Sequence, residues 1–341
     1  MKQILSRRQL LTAAAKTAGL GAAAFLFPLS SNQRRAKGAE MPFQFKYAVC
    51  NETFGDWPLE KGFALAAECG YRGIEIAPFT MADYVTDIPD KRRAEVRRLA
   101  EKAGLTVVGL HWLLAKTKGF HLTSPDAKVR RKTAEYLGHL AHFSADLGGR
   151  IMVLGSPQQR NLASGMSKAE GMKHAAEVLR AALPALEKAD VTIALEPLAP
   201  VETNFLNTAA DAVALMDLVD SPRCRLHLDC KAMAAETTGK GDSPHLCEAP
   251  SGPFRQMGSV PFSQIPELIH KYRKLFVHFH ANDPNRQGPG FGKLDFVPIL
   301  KALREIHYGG WVSVEVFDYT PGPERLARES IKYLRRCEAK Q

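Results

Sequence analysis

The chain has 341 residues, of which 46 are Lys or Arg and 36 are Asp or Glu, and its formal net charge is +10. Seven of the basic residues and none of the acidic ones lie in the first 38 residues, so the remainder carries a formal charge of +3. This excludes the strongly basic type of nucleic-acid-binding protein that the charge of the whole chain would suggest.

Residues 1–38 are predicted to be a twin-arginine export signal, because Arg7 and Arg8 precede an alanine-rich stretch over 10–29. A small-x-small cleavage site follows at 36–38. An uncleaved membrane anchor stays open as an alternative, since the stretch is nearly long enough to span a bilayer. We expect export to the periplasm or the cell exterior, without stable membrane association once the signal is cleaved.

Strand-like and helix-like segments alternate along the rest of the chain. The predicted strands are 45–51, 73–77, 107–110, 150–154, 191–196, 224–229, 275–280 and 311–316. The predicted helices are 58–69, 90–103, 124–147, 167–189, 208–219, 262–271, 296–306 and 325–336, the third of them with Ser124 as N-cap and Pro125 as first residue.

Eight strand–helix repeats with short links predict a parallel sheet that closes into a single-domain (β/α)8 barrel, a TIM barrel, over residues 39–341. An open doubly wound sheet is disfavoured, because no glycine-rich phosphate loop follows the first strand. One connection, 234–261, is too long for a simple link, and it reads either as a lid beside Asp229 or as a variable insertion. The six cysteines form no C-x-x-C pair, and no disulfide is expected.

Four consecutive predicted strands in the C-terminal half end in side chains that bind metals, namely Glu196, Asp229, His280 and Glu315. The carboxyl ends of the strands of such a barrel meet on one face, where active sites lie. Three carboxylates and one imidazole suit Mn²⁺, Mg²⁺ or Co²⁺ better than a structural zinc ion, which prefers thiolates. The sequence therefore predicts a metal site on this face.

Several other side chains are candidates for the same face. His278 and His227 share the strand side of His280 and Asp229, and we interpret them as core residues or as residues that orient a ligand. Glu75 and His111, on the second strand and after the third, are predicted to contact substrate or a second metal. Trp112 either lines the substrate pocket or packs in the core.

The segments LEPLAPVETNFLNT, LHLDCKAM, HFHANDPNRQGPGFGKLDF and GGWVSVEVFDY resemble the xylose isomerase-like TIM-barrel family of sugar isomerases and epimerases, in particular its ketose 3-epimerase and hydroxypyruvate isomerase type. The resemblance implies one divalent metal, with Mn²⁺ preferred and Mg²⁺, Co²⁺ or Zn²⁺ as alternatives. The implied ligands are Glu196, Asp229, His280 and Glu315. It also implies that Glu196 and Glu315 carry the transferred proton.

Two further residues match substrate-contacting positions of those epimerases by spacing. Glu202 lies six residues after Glu196, and Arg286 lies six residues after His280. One position departs from the pattern: Ala232 stands where the epimerases have a sugar-binding histidine. That contact is therefore either missing here or supplied by Lys231.

These observations predict a metal-dependent sugar isomerase or epimerase, which removes a proton next to a carbonyl through a metal-stabilised enediolate. A lyase or hydrolase of 3-keto-glycosides is the alternative, and export favours it because glycosides occur outside the cell. A phosphodiesterase of the apurinic-site endonuclease type ranks below both, and a non-catalytic sugar-binding barrel does not need four metal ligands. The expected partner is a small carbohydrate and not a nucleic acid; whether the chain forms a homo-oligomer stays open.

Overall fold

The computed structural model describes residues 43–238 and 264–341. The predicted export signal, the predicted boundary at residue 38 and residues 239–261 of the predicted lid lie outside these ranges. In the described part, no helix is both long and apolar enough to cross a membrane. Five cysteines lie in these ranges and all are free thiols, in agreement with the expectation that they form no disulfide; the sixth, Cys247, falls among the residues not described.

Eight strands form a closed parallel barrel in which each strand pairs with its neighbours in sequence order and the last pairs with the first. This confirms the predicted (β/α)8 architecture. The strands are β1 Lys46–Cys50, β2 Gly73–Ile76, β3 Thr106–Leu110, β4 Ile151–Leu154, β5 Thr192–Leu195, β6 Cys224–Asp229, β7 Phe276–Ala281 and β8 Trp311–Val314.

Nine α-helices are found in the described ranges: α1 Leu59–Cys69, α2 Asp90–Lys102, α3 Ala127–Leu147, α4 Lys168–Ala189, α5 Ala209–Val219, α6 Cys230–Thr238, α7 Ile265–Lys271, α8 Phe296–Glu305 and α9 Pro323–Glu338. Side-chain caps explain several of their starts. Ser167 accepts a hydrogen bond from the backbone N–H of Glu170, and Thr208 accepts one from that of Asp211.

Several strand and helix ends shift by one or two residues from the predicted bounds, and two larger details differ. Helix α3 begins at Ala127, because Asp126 rather than Ser124 is its N-cap and accepts the backbone N–H of Lys128 at 2.7 Å. The Ser124 hydroxyl, two residues before this N-cap, accepts the N–H of Asp126. Helix α6 follows β6 without a loop, so the first five residues of the predicted lid, 234–238, are helical.

The barrel is packed with apolar strand residues and closed by tight strand contacts. A Cβ atom added at Gly109 of β3 would lie 1.8 Å from the carbonyl oxygen of Ile151, so glycine is required where β3 approaches β4. In the register of β6 and β7, Asp229 lies beside His280. The backbone thus places two predicted metal ligands next to each other on the carboxyl end of the barrel.

Candidate active site

Three of the four predicted metal ligands lie together at the carboxyl ends of adjacent strands. Glu196 follows β5 directly, Asp229 ends β6, and His280 lies one residue before the end of β7. One ligand atom from each of them, together with one from His227 of β6, lies within 4.8 Å of the others. All four side chains are buried. We call Glu196, His227, Asp229 and His280 the primary cluster.

Glu315, the fourth predicted ligand, adjoins the primary cluster through His280. It follows β8 directly, and its Oε2 lies 2.9 Å from His280 Nδ1. Its other oxygen, Oε1, accepts a hydrogen bond from the indole Nε1 of Trp112 at 3.0 Å. Glu315 is 2% exposed, so its carboxylate is oriented from two sides before any ligand binds.

Space for the Glu196 carboxylate is provided by a glycine on the neighbouring strand end. A Cβ atom at Gly155, the residue after β4, would lie 1.6 Å from Glu196 Oε2. We interpret this glycine as a requirement of the carboxylate beside it, because any side chain there would collide with Glu196.

The charges of this region shift the pKa values of its members in opposite directions. Burial, and then the carboxylates of Glu315 and Asp229, raise the pKa of Glu196 well above its usual value. Burial also raises the pKa of Asp229 to about 6. Burial would raise the pKa of Glu315 as well, but His280 outweighs it and lowers that pKa. The positive charges near Glu196 and Asp229 are therefore too few to offset the burial of these two carboxylates.

A divalent cation fits this donor set. The primary cluster and Glu315 offer three carboxylates and imidazole nitrogens, which suit Mn²⁺, Co²⁺ or Zn²⁺. Burying several carboxylates together is unfavourable unless cations or protons neutralise them. The chemistry of the donors and the raised pKa values of Glu196 and Asp229 therefore both favour a bound metal.

Glu75 contacts two histidines of β7 from across the barrel. It is fully buried on β2, and its carboxylate lies 2.8 Å from His278 Nε2 and 3.2 Å from His280 Nε2. Since Nδ1 of His280 faces Glu315, Glu75 contacts the opposite edge of the same ring. Glu75 is therefore placed to orient the two histidines, and its contact with substrate or a second metal stays a prediction.

His111 pairs with a carboxylate that the sequence analysis missed. Its Nε2 lies 2.7 Å from Oε2 of Glu52, and both side chains are buried. Glu52 stands two residues after β1, in a 3-10 turn. A carboxylate so soon after an apolar strand is the signal that singled out Glu196, and it could have identified Glu52 as well.

Of the predicted substrate-binding residues, the structure brings Glu202 and Lys231 together. Lys231 Nζ donates to Glu202 Oε2 at 2.6 Å and lies 4.8 Å from the centre of the Phe317 ring. Ala232, next to Lys231, is buried and its backbone N–H donates to Asp229 Oδ1. Lys231 thus places a cation next to the position where the epimerases carry histidine.

Arg286 lies in the loop after β7 and is exposed. Its carbonyl oxygen accepts hydrogen bonds from the backbone N–H groups of Phe317 and Asp318, which belong to the loop after Glu315. Arg286 adopts a positive φ of 73°. The loop is held further by Asp283, whose carboxylate accepts backbone N–H groups of Gly292 and Lys293.

Two buried polar side chains that had not been predicted support the primary cluster. Arg160, in the loop after β4, donates from Nη1 to the carbonyl oxygen of Glu196 at 2.7 Å. Asn282 donates from Nδ2 to Asp229 Oδ2 and accepts the backbone N–H of Lys231. Their positions depend on loop conformation, for which the sequence carried no signal.

Aromatic rings lie beside the Glu315 carboxylate. The Trp112 ring lies 5.9 Å from that of Phe317 and 6.3 Å from that of Phe79. Trp112 is partly exposed and has a positive φ of 52°, which is uncommon for a large side chain. Its indole contacts favour the pocket interpretation over the core one.

Comparison with known proteins gives one family. A family model described as the xylose isomerase-like TIM barrel matches residues 63–337. The chain is 26% identical over 292 residues to a probable ketose 3-epimerase of Synechocystis sp., covering 80% of this chain and 88% of that protein. It is also 26% identical over 261 residues to the D-psicose 3-epimerase of Agrobacterium fabrum, covering 75% of this chain and 78% of that protein.

Solved structures have the same fold. The 3-keto-D-glucoside 4-epimerase of E. coli superposes with a TM-score of 0.67 at 21% identity, covering 86% of this chain and 100% of the other. A D-psicose 3-epimerase crystallised in the presence of D-fructose gives a TM-score of 0.68 at 19% identity, covering 86% and 99%. At these identities the likeness concerns the fold alone.

Proposed function

The chain belongs to the xylose isomerase-like TIM barrel family and is an enzyme of its sugar isomerase and epimerase group, and we propose that it works by metal-assisted proton abstraction next to a carbonyl. The observation that carries this proposal is the primary cluster with Glu315 beside it. There, Glu196, Asp229 and His280 offer ligand atoms within 4.8 Å of one another, and Glu315 lies 2.9 Å from His280.

Glu196, Asp229, His280 and Glu315 would hold the metal, with Mn²⁺ preferred and Mg²⁺, Co²⁺ or Zn²⁺ as alternatives. When bound, a divalent cation stabilises the negative charge that develops on the carbonyl oxygen as the neighbouring proton leaves. Asn282 fixes the Asp229 carboxylate, and Glu75 fixes the ring of His280.

Glu315 and Glu196 are the proposed proton carriers. The pKa of Glu315 is lowered by His280 despite its burial, whereas burial and the neighbouring carboxylates raise the pKa of Glu196. Two carboxylates with pKa values shifted apart are suited to act as base and acid. Glu315 would take the proton from one face of the sugar, and Glu196 would return it on the other.

We assign sugar hydroxyl binding to Glu202, Lys231 and Arg286. Glu202 and Lys231 form a charged pair at the pocket, and a sugar can accept from the ammonium and donate to the carboxylate. Arg286 lies on the loop that is hydrogen-bonded to the segment after Glu315.

Hydrogen exchange tests this function. The metal-loaded enzyme would be incubated in D₂O with ketoses, aldoses and 3-keto-glycosides and followed by NMR. We expect deuterium to enter a substrate C–H group with the sugar mass otherwise retained. Glu315→Gln should abolish exchange, whereas Glu101→Gln, an exposed residue paired with Arg97, should not. Absence of exchange with every carbonyl substrate would reject the mechanism.

A second candidate, cleavage of 3-keto-glycosides by elimination, uses the same proton abstraction. It is favoured by Ala232 and Lys231, because a small side chain stands where the epimerases carry a sugar-binding histidine. Release of an aglycone or a second sugar in the same NMR experiment would support it over epimerisation.

We also propose that the protein is exported, on the grounds of Arg7 and Arg8 and the absence of acidic residues from the first 38. Replacing both arginines by lysine should leave the full-length chain in the cytoplasm of its host, as detected by fractionation. Unchanged export would reject a twin-arginine signal.

A further inference from the structure

A second group of ligand-type side chains lies on the other side of Glu315. One ligand atom each from Glu52, His111 and Glu315 lies within 4.8 Å of the others, and all three side chains are at most 5% exposed. They follow β1, β3 and β8, whereas the primary cluster comes from β5, β6 and β7. We call these three residues the secondary cluster.

One carboxylate of the secondary cluster is only partly paired. Oε1 of Glu52 is buried and has no hydrogen-bond partner, whereas Nδ1 of His111, the ring nitrogen that does not contact Glu52, lies 4.0 Å from Oε1 of Glu75. The 2.7 Å contact between Glu52 Oε2 and His111 Nε2 accounts for only one atom of each side chain. A buried carboxylate oxygen without a partner is costly, and a cation would satisfy it.

Glu315 is placed between the two clusters. Its Oε2 contacts His280 of the primary cluster, while its carboxylate also belongs to the secondary cluster. The rings of His111 and His280 lie 6.1 Å apart, centre to centre. Carboxylates in such positions commonly serve paired metal ions, which lie about 3.5–4 Å apart.

The buried charges allow for more than one divalent cation. The buried carboxylates of the two clusters and their support are Glu52, Glu75, Glu196, Asp229 and Glu315. The non-histidine cations next to them are Arg160 and Lys231, and Lys231 also pairs with a further carboxylate, that of the partly exposed Glu202. At least three negative charges remain, so one divalent cation leaves at least one of them uncompensated. Either a second cation or a proton shared by His111 and Glu52 can supply the remaining charge.

We propose that Glu52, His111 and Glu315 bind a second divalent cation, with Glu315 shared between two metals. This inference rests on the proposed function for the first metal. Two carboxylates and one imidazole suit Mn²⁺, Co²⁺ or Zn²⁺. Three protein ligands leave positions for water or for a substrate oxygen, as in catalytic rather than structural sites.

The test counts metals in the full chain. Apoprotein would be titrated with Mn²⁺, the bound metal measured by mass spectrometry, and the spin coupling of the loaded protein measured by electron paramagnetic resonance. We expect two equivalents per chain and a coupled two-manganese signal. Glu52→Gln and His111→Gln should each bind one equivalent and lose the coupled signal, with affinity at the primary cluster within about threefold of wild type. Their matched controls are Glu101→Gln and His142→Gln, both at exposed positions.

Each result decides between the two sites. One equivalent in the wild type that is lost in Glu196→Gln but not in Glu52→Gln overturns the second site and leaves the proposed function standing. One equivalent lost only in Glu52→Gln overturns the primary site, and no binding at all overturns both. If Glu52→Gln fails to fold by circular dichroism, the wild-type count and its spin coupling still decide.

Discussion

The two halves of the barrel mouth contribute different kinds of side chain. The half formed by β5 to β8 supplies groups that converge on one point, and each stands at or directly after a strand end. The half formed by β1 to β3 supplies Glu52, Glu75 and His111. Glu52 and His111 contact each other, whereas Glu75 contacts His278 of the other half. The β5–β8 half thus provides the primary cluster and Glu315, while the β1–β3 half orients that cluster through Glu75 and supplies Glu52 and His111 to the secondary cluster.

Removing a ligand from the β5–β8 half should have the largest effect. We expect metal binding to weaken by more than about 100-fold in each of four variants, Glu196→Gln, Asp229→Asn, His280→Ala and Glu315→Gln. This exceeds the loss that is typical when a residue that only orients a metal ligand is replaced. Calorimetric titration of the metal-free protein would measure this. Glu101→Gln is the control, and normal binding in two or more of the four variants would remove the basis of the proposed site.

Glu75→Gln tests the supporting half and should have a smaller effect. The amide keeps the size of the side chain but removes the charge that faces His278 and His280. Because outer carboxylates orient metal-binding histidines, we expect metal affinity to fall about 10–100-fold. Exchange activity at saturating metal should be largely retained. A complete loss of activity at saturating metal would mean that Glu75 contacts substrate after all.

The sequence was sufficient to locate the candidate ligands of the β5–β8 half, because strand-end position and side-chain type are local properties. Asp229 ends an alternating apolar run, and His280 ends the next one, so a parallel register brings them together. The number and order of the strands followed from the same periodicity.

The contacts that hold the candidate ligands in place could not be predicted from the sequence in this way. Glu75 and His278 are 203 residues apart and meet across the barrel, a contact that depends on closure and on the depth of each side chain. The contact of Arg160 with the carbonyl of Glu196 depends on loop conformation. Glu52 is the exception, because its position two residues after an apolar strand is a local property that the sequence does carry.

Metal binding should release protons, which tests how the two halves share charge. Burial alone would lower the pKa of His280, but the carboxylates of Glu315 and Glu75 outweigh it and raise that pKa well above its usual value. The pKa of Glu196 is raised as well. A ligand must be deprotonated, so we expect release of about one proton or more per metal near pH 7, and affinity that rises with pH.

The raised pKa of His280 also predicts that the stability of the apoprotein falls as the pH rises, whereas metal affinity rises. In the apoprotein, the raised His280 pKa contributes stability that is complete below the unfolded value of about 6.5. This stability is lost as the pH rises through the folded value. Calorimetry in PIPES and Tris buffers, which differ in ionisation enthalpy, would count the protons, and thermal melts would follow the stability. Equal enthalpies in both buffers would contradict the assignment of His280 as a protonated member of the empty site.

Lys231→Met should give the smallest effect, because it changes the rim of the pocket and not the metal ligands. The ammonium group pairs with Glu202 and lies over the Phe317 ring, and an ion pair at a partly exposed site contributes up to about 1 kcal/mol, or roughly fivefold in binding. We expect KM to rise by up to about fivefold in steady-state assays, with kcat and metal affinity nearly unchanged. Lys332→Met, at an exposed position on α9, is the matched control.

Whether the rise in KM of Lys231→Met occurs with monosaccharides, with glycosides or with both separates the candidate substrates. A lysine that replaces the missing histidine contact should matter equally for a monosaccharide and for a glycoside that share the reacting ring. If it instead contacts the part of a glycoside beyond that ring, the rise in KM appears only with the glycoside. A fall in kcat at unchanged KM would place the ammonium group in the chemical step, because it would then act on the transition state and not on substrate binding.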